Sequence, residues 1–461
     1  MTRALPRDRA LPRLGLALDG DAMAEVFAAA LRGRRVRRCE VDRVKYRPGR
    51  GATLGYRLVL RDERTGRDTE QRAGARLCTA GESAQRLERA AVRAALPAAT
   101  GAAWLHLPAL DMLVHWAPND AKLDALAWLD GPAALPREAI EPVAAALGAA
   151  GGAQVRDATL VQYVPEQRAC ARVELDVERA DGTGAAEVLY VKADAERRGE
   201  ATHAVMAALH ASAAHGRALP CTPQPVLWDD TTGLHWQRAL RGRALADADP
   251  AVGAKASARV GEQLAALHGT PVPVARRATA EALRAQPREA AQWLREVEPA
   301  WSPLLGRLSR RLDAGGAGLE REPVATLHGD LHAHNILVDG EDLSFIDLDS
   351  VQCGPPVMEL GAWVADALYR VLLEGRDAFV AAHACRAFLD AHAQVSGHAP
   401  DPALLAWATA HSLLCTRAYR SVANLKPGRF EAVPALLALA DDIAAAGTLD
   451  AAWAGAPEAL A

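Results

Sequence analysis

In His328-Gly329-Asp330-Leu331-His332-Ala333-His334-Asn335, and again in Ser344-Phe345-Ile346-Asp347-Leu348-Asp349, the chain places oxygen-bearing side chains at spacings that suit one reaction. Asp330 can take a proton from a hydroxyl. Asn335 and Asp347 can hold a hard cation through oxygen ligands. An Asp, an Asn five residues on and a downstream Asp form the arrangement that orients nucleophile and magnesium in phosphoryl transfer. A loop whose Asp and Asn only cap turns is the competing explanation. It accounts neither for the apolar runs on both sides nor for the second acidic pair.

Those runs predict the elements that position the motif. Val324 to Leu327 reads as a strand entering the loop, and Ile336-Leu337-Val338 as a strand leaving it. Asp339-Gly340 predicts a hairpin turn of the I′ kind. Leu343 to Ile346 then returns and delivers Asp347. On these residues the stretch resembles the aminoglycoside phosphotransferase and choline kinase family, small-molecule kinases whose signature is HGDxxxxN followed by a strand ending in Ile-Asp. The resemblance implies an α+β, protein-kinase-like fold of two lobes, with ATP and Mg²⁺ as cofactors. It gives Asp330 the role of catalytic base and Asn335 and Asp347 that of magnesium ligands. Gly329 stands where protein kinases carry Arg, and a helix begins within about ten residues of Asp349, which argues against a protein kinase. Pro355-Pro356 and the run Val357 to Leu373 suit the next helix of the family. Near its start the family usually has Asp, and this chain has Glu359.

Two regions of the first half look alike. Tyr46-Arg47-Pro48-Gly49-Arg50 precedes an alternating strand through Leu60, then Arg76-Leu77-Cys78 and a helix from about Glu82. Tyr163-Val164-Pro165-Glu166-Gln167 precedes the strand 171–177, then Val188 to Lys192 and a helix from about Glu196. The order predicts a duplicated hairpin-plus-helix unit. Lys192 is placed like the phosphate-gripping lysine of kinase N-lobes, with Glu200 as its candidate partner. Cys78 is read as its counterpart in the first unit, which makes that unit a cap. No GxGxxG precedes Lys192. Either the turn Val164 to Arg168 meets the nucleotide through backbone amides and Arg168, or it barely touches the phosphates. Gln237 to Leu240, with Gln237 and Ala239 foremost, is the expected adenine hinge. The expected divisions are a cap at 1–150 ending in a packed connector, an N-lobe at 151–240, and a helical C-lobe at 241–461. In that C-lobe Arg417, Arg420 and Asp441-Asp442 are candidates for the acceptor wall.

Composition sets the remaining bounds. At 461 residues, 24% charged and a net charge of −4, the chain reads as an ordinary globular protein. The first hundred residues carry ten more basic than acidic side chains. Their densest run, Arg32 to Arg38, lacks interleaved aromatics and reads as a solvated face rather than a nucleic-acid site. Seven scattered cysteines without a CxxC pair argue against zinc or a disulfide framework. No run approaches a membrane span. A cytoplasmic location without a nucleic-acid or membrane partner is therefore expected, with oligomeric state left open. The expected activity is transfer of the ATP γ-phosphate to a hydroxyl of a sugar, amino sugar, aminoglycoside or amino alcohol. The duplicated cap is similar to the longer maltokinase-like and glucosamine kinase-like enzymes. The alternative is a pseudokinase, a nucleotide-binding scaffold without transfer activity.

Overall fold

The computed structural model describes residues 5–91, 94–179, 181–216, 219–248 and 250–455. Long alternating segments with turn residues between them give the first half two antiparallel sheets of five strands. The first contains β1 (Arg34–Arg47), β2 (Gly51–Asp62), β3 (Asp68–Leu77), β4 (Trp104–Leu107) and β5 (Met112–Trp116), in the order β1-β2-β3-β5-β4. The second contains β6 (Ala149–Val164), β7 (Arg168–Arg179), β8 (Gly184–Asp194), β9 (Pro225–Asp229) and β10 (Leu234–Arg238), in the order β6-β7-β8-β10-β9. A helix follows the third strand of each, Glu82–Ala91 and Gly199–Ala214.

The likeness therefore runs further than hairpin plus helix. Trp104 to Trp116, expected as part of a connector, supplies the last two strands of the first sheet. Register also corrects the counterpart of Lys192. Lys192 pairs with Cys170 on one side and His235 on the other, and the residue so placed in the first sheet is Arg76, between Thr53 and Leu113. Cys78 lies beyond the strand. The first unit thus keeps a cation where the second has its lysine.

The second half is helical, as apolar positions at helical spacing require. Its main helices are Pro250–His268, Ala280–Val297, Ser302–Ala314, Pro356–Glu374, Ala378–Ser396, Pro402–Ser412 and Val433–Ala446. Asp401 caps the sixth by accepting from the amides of Ala403 and Leu404, and Thr279 caps the second through Ala282. Pro402–Ser412 runs into a π-helical turn at Leu413–Ala418 before Tyr419–Ala423. Two small sheets lie among the helices: β11 (Arg243–Ala244) with β13 (Ile336–Asp339) and β14 (Asp342–Phe345), and β12 (Ala325–Leu327) with β15 (Gln352–Gly354). The hairpin loop is Gly340-Glu341, one residue later than expected. Only Gly340 has positive φ, so the turn is not type I′, which needs it at both positions. Among the described residues no helix is long and apolar enough to cross a membrane.

Candidate active site

The loop after β12 is held from below by one carboxylate. Glu359, buried in the first turn of Pro356–Glu374, accepts from the backbone N–H of His328 at 2.9 Å and of Gly329 at 2.7 Å. The His268 ring nitrogen Nε2 lies 3.0 Å from the same carboxylate, and His268 Nδ1 lies 3.0 Å from His392 Nε2. Burial alone would raise the Glu359 pKa. The His268 bond and charge, with His328 and the Gly329 amide, outweigh burial and hold it below the usual range. Gly329 has φ +82, and a Cβ there would stand 2.1 Å from the Ser350 carbonyl oxygen. Any side chain at 329 would push the loop off its neighbour, so glycine is a packing requirement.

Two hydrogen bonds fasten this loop to the strand that delivers Asp347, and a third closes the loop on itself. Asn335 Nδ2 donates to the Asp330 carbonyl at 3.0 Å, and the Ile346 amide donates to the Asn335 carbonyl at 2.9 Å. His328 Nε2 sits 2.9 Å from the Ile346 carbonyl. With its Nδ2 used, Asn335 keeps Oδ1 as an acceptor. Asp347 then turns out of the strand at φ +64, a left-handed conformation uncommon for a residue with a side chain. Lys192 Nζ donates to Asp347 at 2.7 Å and to Asp349 at 3.0 Å. Burial works against the Lys192 charge, but the two carboxylates prevail and raise its pKa. Burial likewise opposes ionisation of Asp347, and Lys192 overcomes it, so that pKa falls. Asp349, more enclosed and beside Asp347, is raised. Asn335 and Asp347 carry hard oxygen donors of the kind that could hold Mg²⁺.

Arg168, Lys192, Asp347 and Asp349 line one small cavity with Cys170 and His235. Its volume is about 40 Å³, room for an ion and water. Asp330 is half-buried, its Oδ1 3.2 and 3.3 Å from the guanidinium nitrogens of Arg420. The structure does not bring Glu200 to Lys192. Glu200 is exposed, and the carboxylates on Lys192 are Asp347 and Asp349. Gln237 is buried within the sheet. The Ala239 N–H, expected at the adenine, donates to the Val188 carbonyl at 2.9 Å.

Sequence reasoning missed Asp120. This buried carboxylate receives the Tyr163 hydroxyl at 2.6 Å and the Glu166 amide at 2.9 Å on Oδ2, and the amides of Lys122 and Leu123 on Oδ1. It therefore grips the turn Pro165-Glu166-Gln167 between β6 and β7, where kinases carry their glycine loop. Lys45 donates to Gln167 at 3.0 Å, and Lys122 pairs with Glu166 at 3.0 Å. A Cβ at Gly74 on β3 would lie 2.5 Å from the Tyr163 hydroxyl and 2.9 Å from Pro165. The first sheet thus packs directly on this turn. An Asp placed just after a proline and an asparagine was the available sign, in a stretch read as a packed connector.

Residues 182–398 match the phosphotransferase enzyme family. No curated protein matches the chain. Among solved structures, a thermostable mutant of the aminoglycoside phosphotransferase APH(4)-Ia is 16% identical, over 64% of this chain and 96% of that one, with a TM-score of 0.45. The aminoglycoside phosphotransferase APH(3'')-Id from Streptomyces rimosus, in complex with ADP and streptomycin, is 20% identical over 54% and 90%, with a TM-score of 0.38. A choline/ethanolamine kinase family protein from Mesorhizobium loti is 17% identical over 63% and 85%, with a TM-score of 0.37. The matched segment, a little under half of the chain, holds Lys192, the HGDxxxxN loop, Asp347 and Glu359, and over that segment the chain is similar to the phosphotransferase enzyme family.

Proposed function

We propose that this protein transfers the γ-phosphate of ATP to a hydroxyl of a small, sugar-like molecule. The observation that carries the reading is the meeting of Lys192 with Asp347 and Asp349, on a strand end hydrogen-bonded to the loop that carries Asp330. Lys192, with Arg168 beside it, would bind the phosphates, displacing its present carboxylate partners. The hinge after β10 would hold the base, with Gln237 as sheet support. Asn335 and Asp347 would hold Mg²⁺, which when bound offsets the charge that gathers on the transferring phosphoryl group. Asp330 would orient the acceptor hydroxyl and take its proton late. Arg420 on Oδ1 keeps that carboxylate aimed. Residues 1–150 would act as a cap bracing the phosphate turn, 151–240 as the N-lobe and 241–461 as the acceptor-binding lobe.

The test is Asp330→Asn, which keeps the shape and removes the base. It should abolish magnesium-dependent ADP formation while leaving ATP affinity within about twofold, since Asp330 touches neither Lys192 nor Asp347. Turnover like that of the unchanged protein refutes the assignment. The narrow cleft, with Lys192 closed onto both aspartates, favours a pseudokinase as the second reading. Nucleotide binding without magnesium-dependent ADP formation, over a panel of hydroxyl acceptors, would establish it.

A further inference from the structure

A second cavity, of about 220 Å³, opens beside Asp330, and its walls are unusually basic. Arg370 comes from Pro356–Glu374, Arg417 from the π-helical turn, and Arg420 from the short helix after it. Lys426 and Arg429 come from the following loop. Against these five cations the lining offers two carboxylates, Asp366 and Glu374. Both are shared: Asp366 pairs with Arg370 at 2.9 Å and Arg417 at 3.0 Å, and Glu374 lies 3.7 Å from Arg370 and 3.5 Å from Arg429. Tyr369 presents its ring to Arg417 and Arg429, 5.4 and 4.9 Å from their guanidinium carbons.

Three observations point to a missing negative charge. Arg417 Nε and Arg429 Nη1 are buried N–H groups without a hydrogen-bond partner, and orphaned buried donors are rare and costly. Partial desolvation, then the charges of Arg43 and Arg429, hold Lys426 below the ordinary lysine range. Arg43 itself, reaching in from β1, has a buried Nε without a partner. Like charges gathered at a π-turn, a feature concentrated at functional sites, cost free energy unless an anion joins them. The arrangement suits neither a polycation nor a quaternary amine, both of which these arginines would repel.

We propose that the phosphate acceptor carries its own anionic group, a phosphate or carboxylate, which Lys426, Arg429 and Arg417 hold while its hydroxyl faces Asp330. The proposal rests on the kinase reading above, because it takes this cavity as the acceptor site. Guanidinium groups match such oxyanions through paired N–H donors. Asp441 and Asp442, expected as possible wall residues, do not line the cavity. Asp441 is buried against Arg307 and Arg311.

The experiment measures, on the full-length ADP-loaded protein by calorimetry, binding of glucose 6-phosphate and gluconate against glucose and glucosamine. At least one of the anionic probes should bind tenfold or more tighter than both others. Lys426→Glu, on an exposed residue, should erase that advantage without moving ADP affinity. Raising salt should weaken the anionic probe selectively. Equal or tighter binding of glucose or glucosamine, no millimolar binding of either anionic probe, or an advantage that survives Lys426→Glu overturns the proposal. ADP formation is scored separately with the same four compounds. If magnesium-dependent ADP appears with neutral or cationic acceptors, the kinase reading survives and the anionic acceptor falls. If ATP does not bind, the kinase reading itself falls.

Discussion

Glu359→Gln isolates what the HGDxxxxN loop costs to hold. The carboxylate meets three donors: the amides of His328 and Gly329, and His268 Nε2. The amide of glutamine has one oxygen and one NH₂, so at least one backbone N–H must face a donor. A buried donor left unsatisfied costs about 1–3 kcal/mol, and losing the charge-assisted part of the other bonds adds to it. A total of about 2–4 kcal/mol follows, enough to lower the melting temperature of a chain of 461 residues by roughly 2–4 °C. Gly329 precedes Asp330, and a shift near 1 Å in the base costs on the order of 100-fold in turnover. Neither Lys192 nor Asp347 bonds to Glu359 itself, so KM for ATP should move less than kcat. The assay is thermal unfolding of both proteins beside kcat and KM for ATP. A variant melting within 1 °C of the parent with turnover within about twofold would refute the reasoning, because it would mean that Glu359 neither stabilises nor aims the loop.

Three further outcomes are expected. Lys192→Met removes a charge-assisted donor shared by two carboxylates, and KM for ATP should rise by about 10- to 100-fold. A rise under twofold in steady-state kinetics would take Lys192 out of the phosphate site. Asp120→Asn keeps an acceptor for Lys122 and Leu123 but turns an NH₂ toward the Glu166 amide. It should raise KM for ATP by about tenfold, one lost bond's worth, with acceptor KM unmoved; equal effects on both would assign Asp120 to general stability instead. Acid should unfold the protein early. Burial, aided at His392 by the His268 charge, lowers the pKa of His392 and His411 from the ordinary 6.5 to about 4. Between those values the unfolded chain binds protons that the folded one refuses, so stability falls as pH drops, by up to about 1.4 kcal/mol per unit and group. Glu359, depressed, acts in the same sense at lower pH. A urea midpoint unchanged from pH 7 to 4.5 would contradict this.

The chemistry of the candidate site was legible because it fixes spacing along the chain. An Asp, an Asn one loop-length on and an Asp closing the return strand leave a local trace, and Glu359 stood out at the place where the family has Asp. What was not legible depends on partners distant in sequence. Nothing near Gly329 announces the Ser350 carbonyl that excludes a side chain. The counterpart of Lys192 can be identified only through the pairing of β3 with β2 and β5, which returns Arg76 where counting toward the helix returned Cys78. Trp104 to Leu107 is too short to declare itself a strand, so the first sheet was cut off early. Glu200 failed as a partner because the cleft offers Lys192 two closer carboxylates in this arrangement.

The first sheet has a position that its sequence alone did not suggest. On one side its glycines and Asp120 receive the turn between β6 and β7, the piece nearest the expected phosphates. On the other, β1 packs against the helix Tyr419–Ala423 and sends Arg43 toward Lys426, at the edge of the proposed acceptor cavity. A turn of a nucleotide cleft is usually free to close by its own glycines. Here the turn has none, and Glu166 takes positive φ while its amide is tied to Asp120. Closing on a nucleotide would therefore carry the first sheet along, and with it the basic residue facing the acceptor. A substitution on one side of the sheet should then be felt on the other, so Arg43→Ala should change KM for ATP as well as for the acceptor. An effect confined to the acceptor would show that the sheet only braces the turn and does not couple the two sites.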